Sequence, residues 1–238
     1  MRNRIIFNCM PPFSITAPNP AFVALTNYMR NKGYNVDTIY WNIIFDNIMC
    51  LFKINNVYDQ NDVELIDLLP LYSIVAHTEN DKRAKKLIRI FLSGFFPLFR
   101  EYEETKYSNN FISAITEEIY NIINMHFNNI DFEKVLLFGV SARYYQRIAG
   151  SILVKVVKDK YPYVNTIIGG FGDKEEATIL MNKFKQFDYA IWGEAEFPLH
   201  LLCDALQNDK YYEPQNVPNI IRRVNNNLII SNIPNMTS

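Results

Sequence analysis

Three short apolar runs, each closed by a small or polar turn that opens a helical pattern, constrain this chain more than any other feature. They lie between Val135 and Leu206: VLLFGVSARYYQ, then NTIIGGFGDKEEA, then FDYAIWGEAEFPLHLLCDAL. Apolar strands separated by single helices are the signature of a parallel sheet, whose strand ends collect ligands. Six of the eight glycines, Gly139, Gly150, Gly169, Gly170, Gly172 and Gly193, fall in this third of the chain. The rest reads as frame, cover or connector.

The same rhythm opens the chain. Ile5–Cys9 reads as a first strand stopped by Pro11-Pro12. Asn19-Pro20 supplies a cap and a proline at the first helical position, and Phe22, Leu25, Tyr28 and Met29 follow at helical spacing up to Gly33. Val36–Trp41 resumes strand character, which completes a β-α-β unit with a right-handed crossover. Residues 42–131 break the pattern. Helical periodicity over 43–54, 63–76, 83–99 and 111–127 predicts an insertion of three to four helices between strands two and three. Its aromatic stretch over 91–107 reads as a cover on the sheet or, alternatively, as a lid or partner surface.

After the insertion, Val135–Gly139 is strand three. Ile148, Ile152, Leu153 and Val156 mark the buried face of the next helix. Thr166–Ile168 is strand four, with Gly169 to Gly172 as its turn and a helix over 175–184. Tyr189–Trp192 is strand five, and Gly193-Glu194-Ala195-Glu196 opens the last helix. Asn219–Arg223 and Leu228–Ser231, around Asn225 to Asn227, predict a β-hairpin. The expected fold is therefore α/β: a Rossmann-like, doubly wound, mainly parallel five-stranded sheet. It forms a single domain over 1–238, with the helical insertion at 42–131 and a hairpin and connector at 216–238.

Composition narrows the chemistry. Of the 238 residues 49% are hydrophobic and 14% aromatic, ample for a packed core. The 24 Lys and Arg against 25 Asp and Glu leave a net charge of −1, without the basic field that nucleic acid requires. No apolar run reaches the ~18 residues of a spanning helix, so no membrane association is expected. Cys9, Cys50 and Cys203 form no CxxC or CxxxCxxC, so spacing supports neither an iron–sulfur cluster nor a zinc site. An odd thiol count without a secretion signal fits a cytoplasmic protein.

Familiar catalytic frames are missing. No GxGxxG follows strand one and no GxxxxGK[ST] occurs, so a nucleotide is not favoured. Ser141 lacks a GxSxG frame, and His77, His126 and His200 read as structural or surface residues. Glu194 and Glu196 sit two apart and do not share a helical face. Gly169-Gly170 would let backbone N–H groups approach a flat or anionic ligand, or would simply make a tight turn.

Together, the turn after strand three with Ser and Gln nearby, the strand into Gly-Gly, and DYAIWGEAEFPLHLL resemble the N-terminal domain of cobalamin-dependent radical S-adenosylmethionine enzymes. In that family the fourth strand ends in Gly-Gly and the fifth in Gly-Glu-x-Glu, here Thr166–Gly170 and Ile191–Glu196. Pro11-Pro12, the start of the first helix and the hairpin over 220–230 resemble the subgroup found with ribosomal-peptide maturation. The similarity covers 1–41 and 132–233. It implies a sheet that binds cobalamin across its strand ends, with Pro11, Pro12, Phe13, Ser141, Ala142, Arg143, Gly169, Gly170, Phe171, Gly193 and Glu194 lining the corrin or its tail. The implied partner is a radical S-adenosylmethionine catalytic domain or subunit, in a methyltransferase acting on a peptide or natural product. The family's barrel with its CxxxCxxC is not in this sequence, so the chain would not be catalytic alone. The Asp-x-His-x-x-Gly that supplies a lower ligand in related mutases is replaced around Cys9-Met10-Pro11. A cofactor-free module binding a peptide or partner protein is the alternative, with Phe171 and Trp192 filling the site. Direct use of S-adenosylmethionine by this chain is a third reading.

Overall fold

The computed structural model describes residues 2–11, 13, 16–45, 117, 119–143, 146–208 and 217–233. The chain divides into two compact units. The first takes Met1–Met10, Thr16–Tyr40 and Asp131–Ser238; the second takes Pro11–Ile15 and Trp41–Ile130.

The first unit is built on a seven-stranded sheet in the order β2-β1-β3-β4-β5-β6-β7. Its strands are β1 (Arg4–Cys9), β2 (Asn35–Tyr40), β3 (Val135–Ser141), β4 (Asn165–Phe171), β5 (Tyr189–Trp192), β6 (Ile220–Val224) and β7 (Asn227–Ile230). The first five pair in parallel, while β5–β6 and β6–β7 are antiparallel. This is the Rossmann-like, doubly wound architecture, with the 2-1-3-4-5 order of its flavodoxin-like branch. The hairpin does not stand apart from a five-stranded sheet. It joins the edge beside β5 and raises the strand count to seven.

Among the described residues, four helices flank the sheet: α1 (Pro20–Asn31), α2 (Gln146–Lys160), α3 (Lys174–Lys183) and α4 (Glu196–Gln207). Asn19 caps α1 as its sequence suggested, its Oδ1 accepting from the N–H groups of Ala21 and Phe22. Asp173 caps α3 through the Glu176 N–H at 2.8 Å. From β1 the chain steps one way to β2, and from β3 it steps the other way to β4 and β5. Right-handed crossovers then place α1 on one face and α2 and α3 on the other. α4 packs against α1 and β3, on α1's face.

With helices on both sides, the central strands bury both faces. β1 and β3 are buried along nearly their whole length, which is why they read as unbroken apolar runs. The one polar side chain inside β1, Asn8, is fully buried and donates to the Gly139 carbonyl across the β1–β3 pair at 3.0 Å. On the same face, where Val140 is the register partner of Asn8, α2 approaches β3 closely at Gly150. A Cβ there would stand 2.9 Å from the Cβ of Val140.

Several predicted boundaries shift for identifiable reasons. β4 continues through Gly169 and Gly170 to Phe171, because the Ala142 N–H donates to the Gly169 carbonyl and the Gly193 N–H to that of Phe171. Trp41 is not the end of β2 but opens a single helical turn, Trp41–Ile44. The hairpin turn is tight: Asn225 and Asn226 both take positive φ, 47° and 69°, the two-residue type I′ geometry that asparagine tolerates. Arg223 fastens this hairpin to the end of α3, its guanidinium donating to the carbonyls of Met181, Phe184 and Phe187.

In the second unit, the Trp41 ring stacks on Phe45 at 5.5 Å and meets His126 and Phe127 edge-on. Residues 119–128 are helical. The helices expected over 46–116 lie outside the described residues.

Gly150→Ala tests the α2–β3 contact. The alanine gains ~0.5–1 kcal/mol of helix propensity, but overpacking against Val140 costs ~1–3 kcal/mol. A net loss is therefore expected, read as a melting temperature lowered by a few degrees (~2–4 °C per kcal/mol). A variant that melts higher than the parent would show that α2 does not sit this close to β3.

Candidate functional site

Above the face shared by α1 and α4, the sheet does not close. Phe7 of β1, Gly139 of β3 and Ile167 of β4 are register partners in one cross-strand row. Gly139 has no side chain, so the row dips in the middle. A Cβ on it would meet Phe7 Cδ1 at 3.1 Å and Ile167 Cγ2 at 3.2 Å. The row two residues nearer the strand ends pairs Ser141 with Gly169. Phe22 and Leu25 of α1 and Leu199 of α4 wall the depression, and Ile191 extends its floor. A cavity of about 460 Å³ results. That lies within the ~300–1,000 Å³ of pockets that hold small molecules.

The interior is apolar and the mouth is polar. Phe7, Phe22, Ile167, Ile191 and Leu199 are each buried to 95% or more. Toward the carboxyl ends of the strands the lining changes to Ser141, Arg143, Gly169, Gly170, Gly193 and Glu194, with Arg143 and Glu194 exposed. Ser141 Oγ accepts from the Arg143 N–H at 3.1 Å, which folds the turn after β3 back on itself. Gly170 has φ +91°, and a Cβ on it would come within 2.9 Å of Arg143 Cγ and 3.2 Å of Ser141 Oγ. The β3 and β4 turns can therefore touch only because residue 170 is glycine. Gly193, at φ +67°, performs the turn from β5 toward α4.

Most of the residues singled out from sequence gather here. Ser141, Arg143, Gly169, Gly170, Phe171, Gly193 and Glu194 all line the cavity. Ala142 does not; its N–H is spent on the β4 pairing. Pro11 and Phe13 belong to the second unit, where the Phe13 carbonyl accepts from Asn42 Nδ2. Pro12 lies outside the described residues. Phe171 borders the cavity from within its strand. It is buried within β4 opposite Trp192, and the cavity stays open beside it.

The sequence placed Phe7, Ile167 and Ile191 in strands, Phe22 and Leu25 on a helical stripe and Asn19 at a helix cap, and it did not single out Leu199. The sequence signal that could have found the cavity is Gly139, a glycine inside an otherwise bulky strand. The two described thiols are not poised for nucleophilic chemistry. The Cys9 thiol accepts weakly from Asn19 Nδ2 at 3.8 Å, and burial pushes its pKa up to about 11. Burial raises the Cys203 thiol further still. His200 lies against the Tyr34 ring in α4, away from the cavity lining. Among the described residues no cluster of three or more His, Cys, Asp or Glu could hold a metal ion, and no helix is long and apolar enough to cross a membrane.

The raised thiol pKa has a direct consequence. At pH 8, three units below about 11, Cys9 is thiolate in roughly one molecule per thousand. Iodoacetamide at pH 8 should leave it unmodified in the folded protein and label it once the protein is denatured. Rapid labelling of Cys9 in the folded protein, located by peptide mapping, would contradict this burial. Because the folded pKa lies above the unfolded one, the thiol's contribution to stability is complete below pH ~9 and is lost as pH rises toward 11.

No protein-family description and no curated protein matches the chain. Among solved structures it is similar to the radical S-adenosylmethionine methyltransferase TsrM from Kitasatospora setae, in a structure with tryptophan substrate and the analogue aza-SAM bound. The sequence identity is 12%, the TM-score 0.49, and the match covers 96% of this chain but 30% of that one. A second TsrM structure, with cobalamin and a [4Fe-4S] cluster bound, matches at 13% identity and a TM-score of 0.46, over 98% of this chain and 29% of the other. The chain thus spans under a third of the length of the proteins it resembles.

Proposed function

We propose that this chain is a cobalamin-binding module that serves a radical S-adenosylmethionine methyltransferase acting on a peptide or natural product. The observation that carries the proposal is the cavity of about 460 Å³ floored by Gly139 and opening at the Gly169-Gly170 and Gly193-Glu194 turns. A doubly wound sheet binds its ligand outside the carboxyl ends of its strands, and here the turns at those ends carry Gly169, Gly170 and Gly193, which have no side chain. Such a surface suits a broad, flat macrocycle lying across the turns. The cavity beneath is too small for the macrocycle and suits its aromatic tail.

The residues fit the group in kind. Phe7, Phe22, Ile167 and Leu199 offer an apolar slot for a planar heterocycle, and Ser141, Asn19 and Arg143 offer polar contacts at its mouth. Gly169 has open space, its nearest foreign atom to an added Cβ being the Ile191 carbonyl oxygen at 3.9 Å. When bound, the group supplies methyl carriage on its cobalt. The protein's part is to seat the tail, keep the approach to the strand ends flat and exclude water from the slot. Cleavage of S-adenosylmethionine belongs to a catalytic domain or subunit that this chain would serve, in the cytoplasm.

The test is gel filtration with hydroxocobalamin. Wild-type protein should carry the chromophore through the column with a shifted absorption spectrum. Gly139→Val, which fills the floor between Phe7 and Ile167, should bind at least about tenfold more weakly, the loss of ~1.4 kcal/mol or more, while still melting cooperatively. Wild-type protein that elutes colourless at saturating cofactor would end the proposal.

A further inference from the structure

β7 is the last strand of the sheet, and among the described residues no strand pairs with its far side. Strand parity decides which of its backbone groups are left over. The two-residue turn makes Val224 and Asn227 a closing, hydrogen-bonded pair, and bonded pairs recur at every second residue from there. Accordingly the Ser231 N–H donates to the Ile220 carbonyl at 2.9 Å, while the alternate residue Arg223 turns its N–H the other way, to the Asp188 carbonyl at 2.8 Å. Asn227 and Ile229 therefore spend their backbone groups on β6. The N–H and C=O of Leu228 and Ile230 face outward.

Natural sheets protect such an edge with a charge, a proline or a bulge. β7, Asn227-Leu228-Ile229-Ile230, has no charge and no proline, and it pairs with β6 without a register shift. The opposite edge strand, β2, carries Asp37. Ile229 lies in the cross-strand row of Arg222, Tyr189, Ile167 and Gly139, on the cavity face of the sheet, and is 40% exposed.

We propose that β7 is a self-association edge: two copies of this chain pair their β7 strands antiparallel about a two-fold axis at Ile229, and one sheet runs through both. That register leaves nothing over. Leu228 exchanges N–H and C=O with Ile230 of the second copy, and Ile230 with its Leu228, so every outward group of each strand is bonded. Ile229 meets its own counterpart as a non-hydrogen-bonded pair, the closer kind at ~4.5 Å between Cα atoms. The side chain that solvent now reaches is thereby covered. A second copy fits this edge because it brings the same groups and the same apolar side chain from the other side, the self-complementarity of an isologous contact. Charge does not oppose it. Arg222, the cation beside Ile229 in its row, sits one strand further in, so the two copies' Arg222 stand three strand spacings or about 14 Å apart, beyond the ~8 Å Debye length. The pairing does not depend on what the cavity binds.

The experiment is sedimentation velocity on the full chain over a range of concentrations, with a melting curve for each variant. One short edge strand buries less than the ~1,600 Å² of a standard interface, so the dimer is a weak one, with wild type monomeric at ~1 µM and largely dimeric by ~500 µM. Ile229→Lys and Ile229→Glu each set like charges opposite one another across the axis, and each should associate at least about tenfold more weakly than wild type. Because the side chain is partly exposed, both should melt within a few degrees of it. An equimolar mixture of the lysine and glutamate proteins sets opposite charges together and should recover association that neither shows alone. Only a contact in which residue 229 meets itself gives that recovery. Wild type that stays monomeric throughout, association that neither substitution weakens, or a mixture no better than its components would overturn the proposal.

Discussion

A parallel sheet can bury both faces only when helices cover both, and the direction in which the chain steps from strand to strand decides which helix covers which face. Here the chain steps outward from β1 to β2 and then the opposite way from β3 to β5. Right-handed crossovers translate that reversal into α1 on one side and α2 and α3 on the other. Much of the first unit follows from it. It leaves α1 and α4 together on one face, where they wall a cavity over the sheet.

Within that frame, glycine decides where there is room. Gly139 lowers the floor between Phe7 and Ile167, Gly170 lets the β3 and β4 turns touch, and Gly150 lets α2 settle onto β3. Each removes a side chain where a neighbour is already at or inside contact distance. Phe171, beside Gly170, packs inside β4. The contrast explains how a turn so rich in aromatic neighbours still leaves a cavity.

Much of this was legible in the sequence. The strand–turn–helix rhythm located β3, β4 and β5 and their turns, because a parallel strand buried on both faces must be continuously apolar. Asn19-Pro20 located the start of α1 because capping is local chemistry. What escaped depends on contacts distant in sequence. The reach of β4 to Phe171 depends on the N–H groups of Ala142 and Gly193. The attachment of the hairpin to β5 is a pairing choice that no local pattern announces. The cavity walls Phe22 and Leu25 looked like core because an apolar stripe reads the same whether it meets a side chain or a space.

The central claim is that the turns after β3, β4 and β5 form one ligand surface. Amide hydrogen exchange with and without saturating hydroxocobalamin tests it most directly. The account predicts slower exchange over Ser141–Arg143, Gly169–Gly172 and Gly193–Glu194, with the hairpin over 220–230 unchanged. Protection confined to the hairpin or to the outer face of α3, or no protection anywhere, would contradict it.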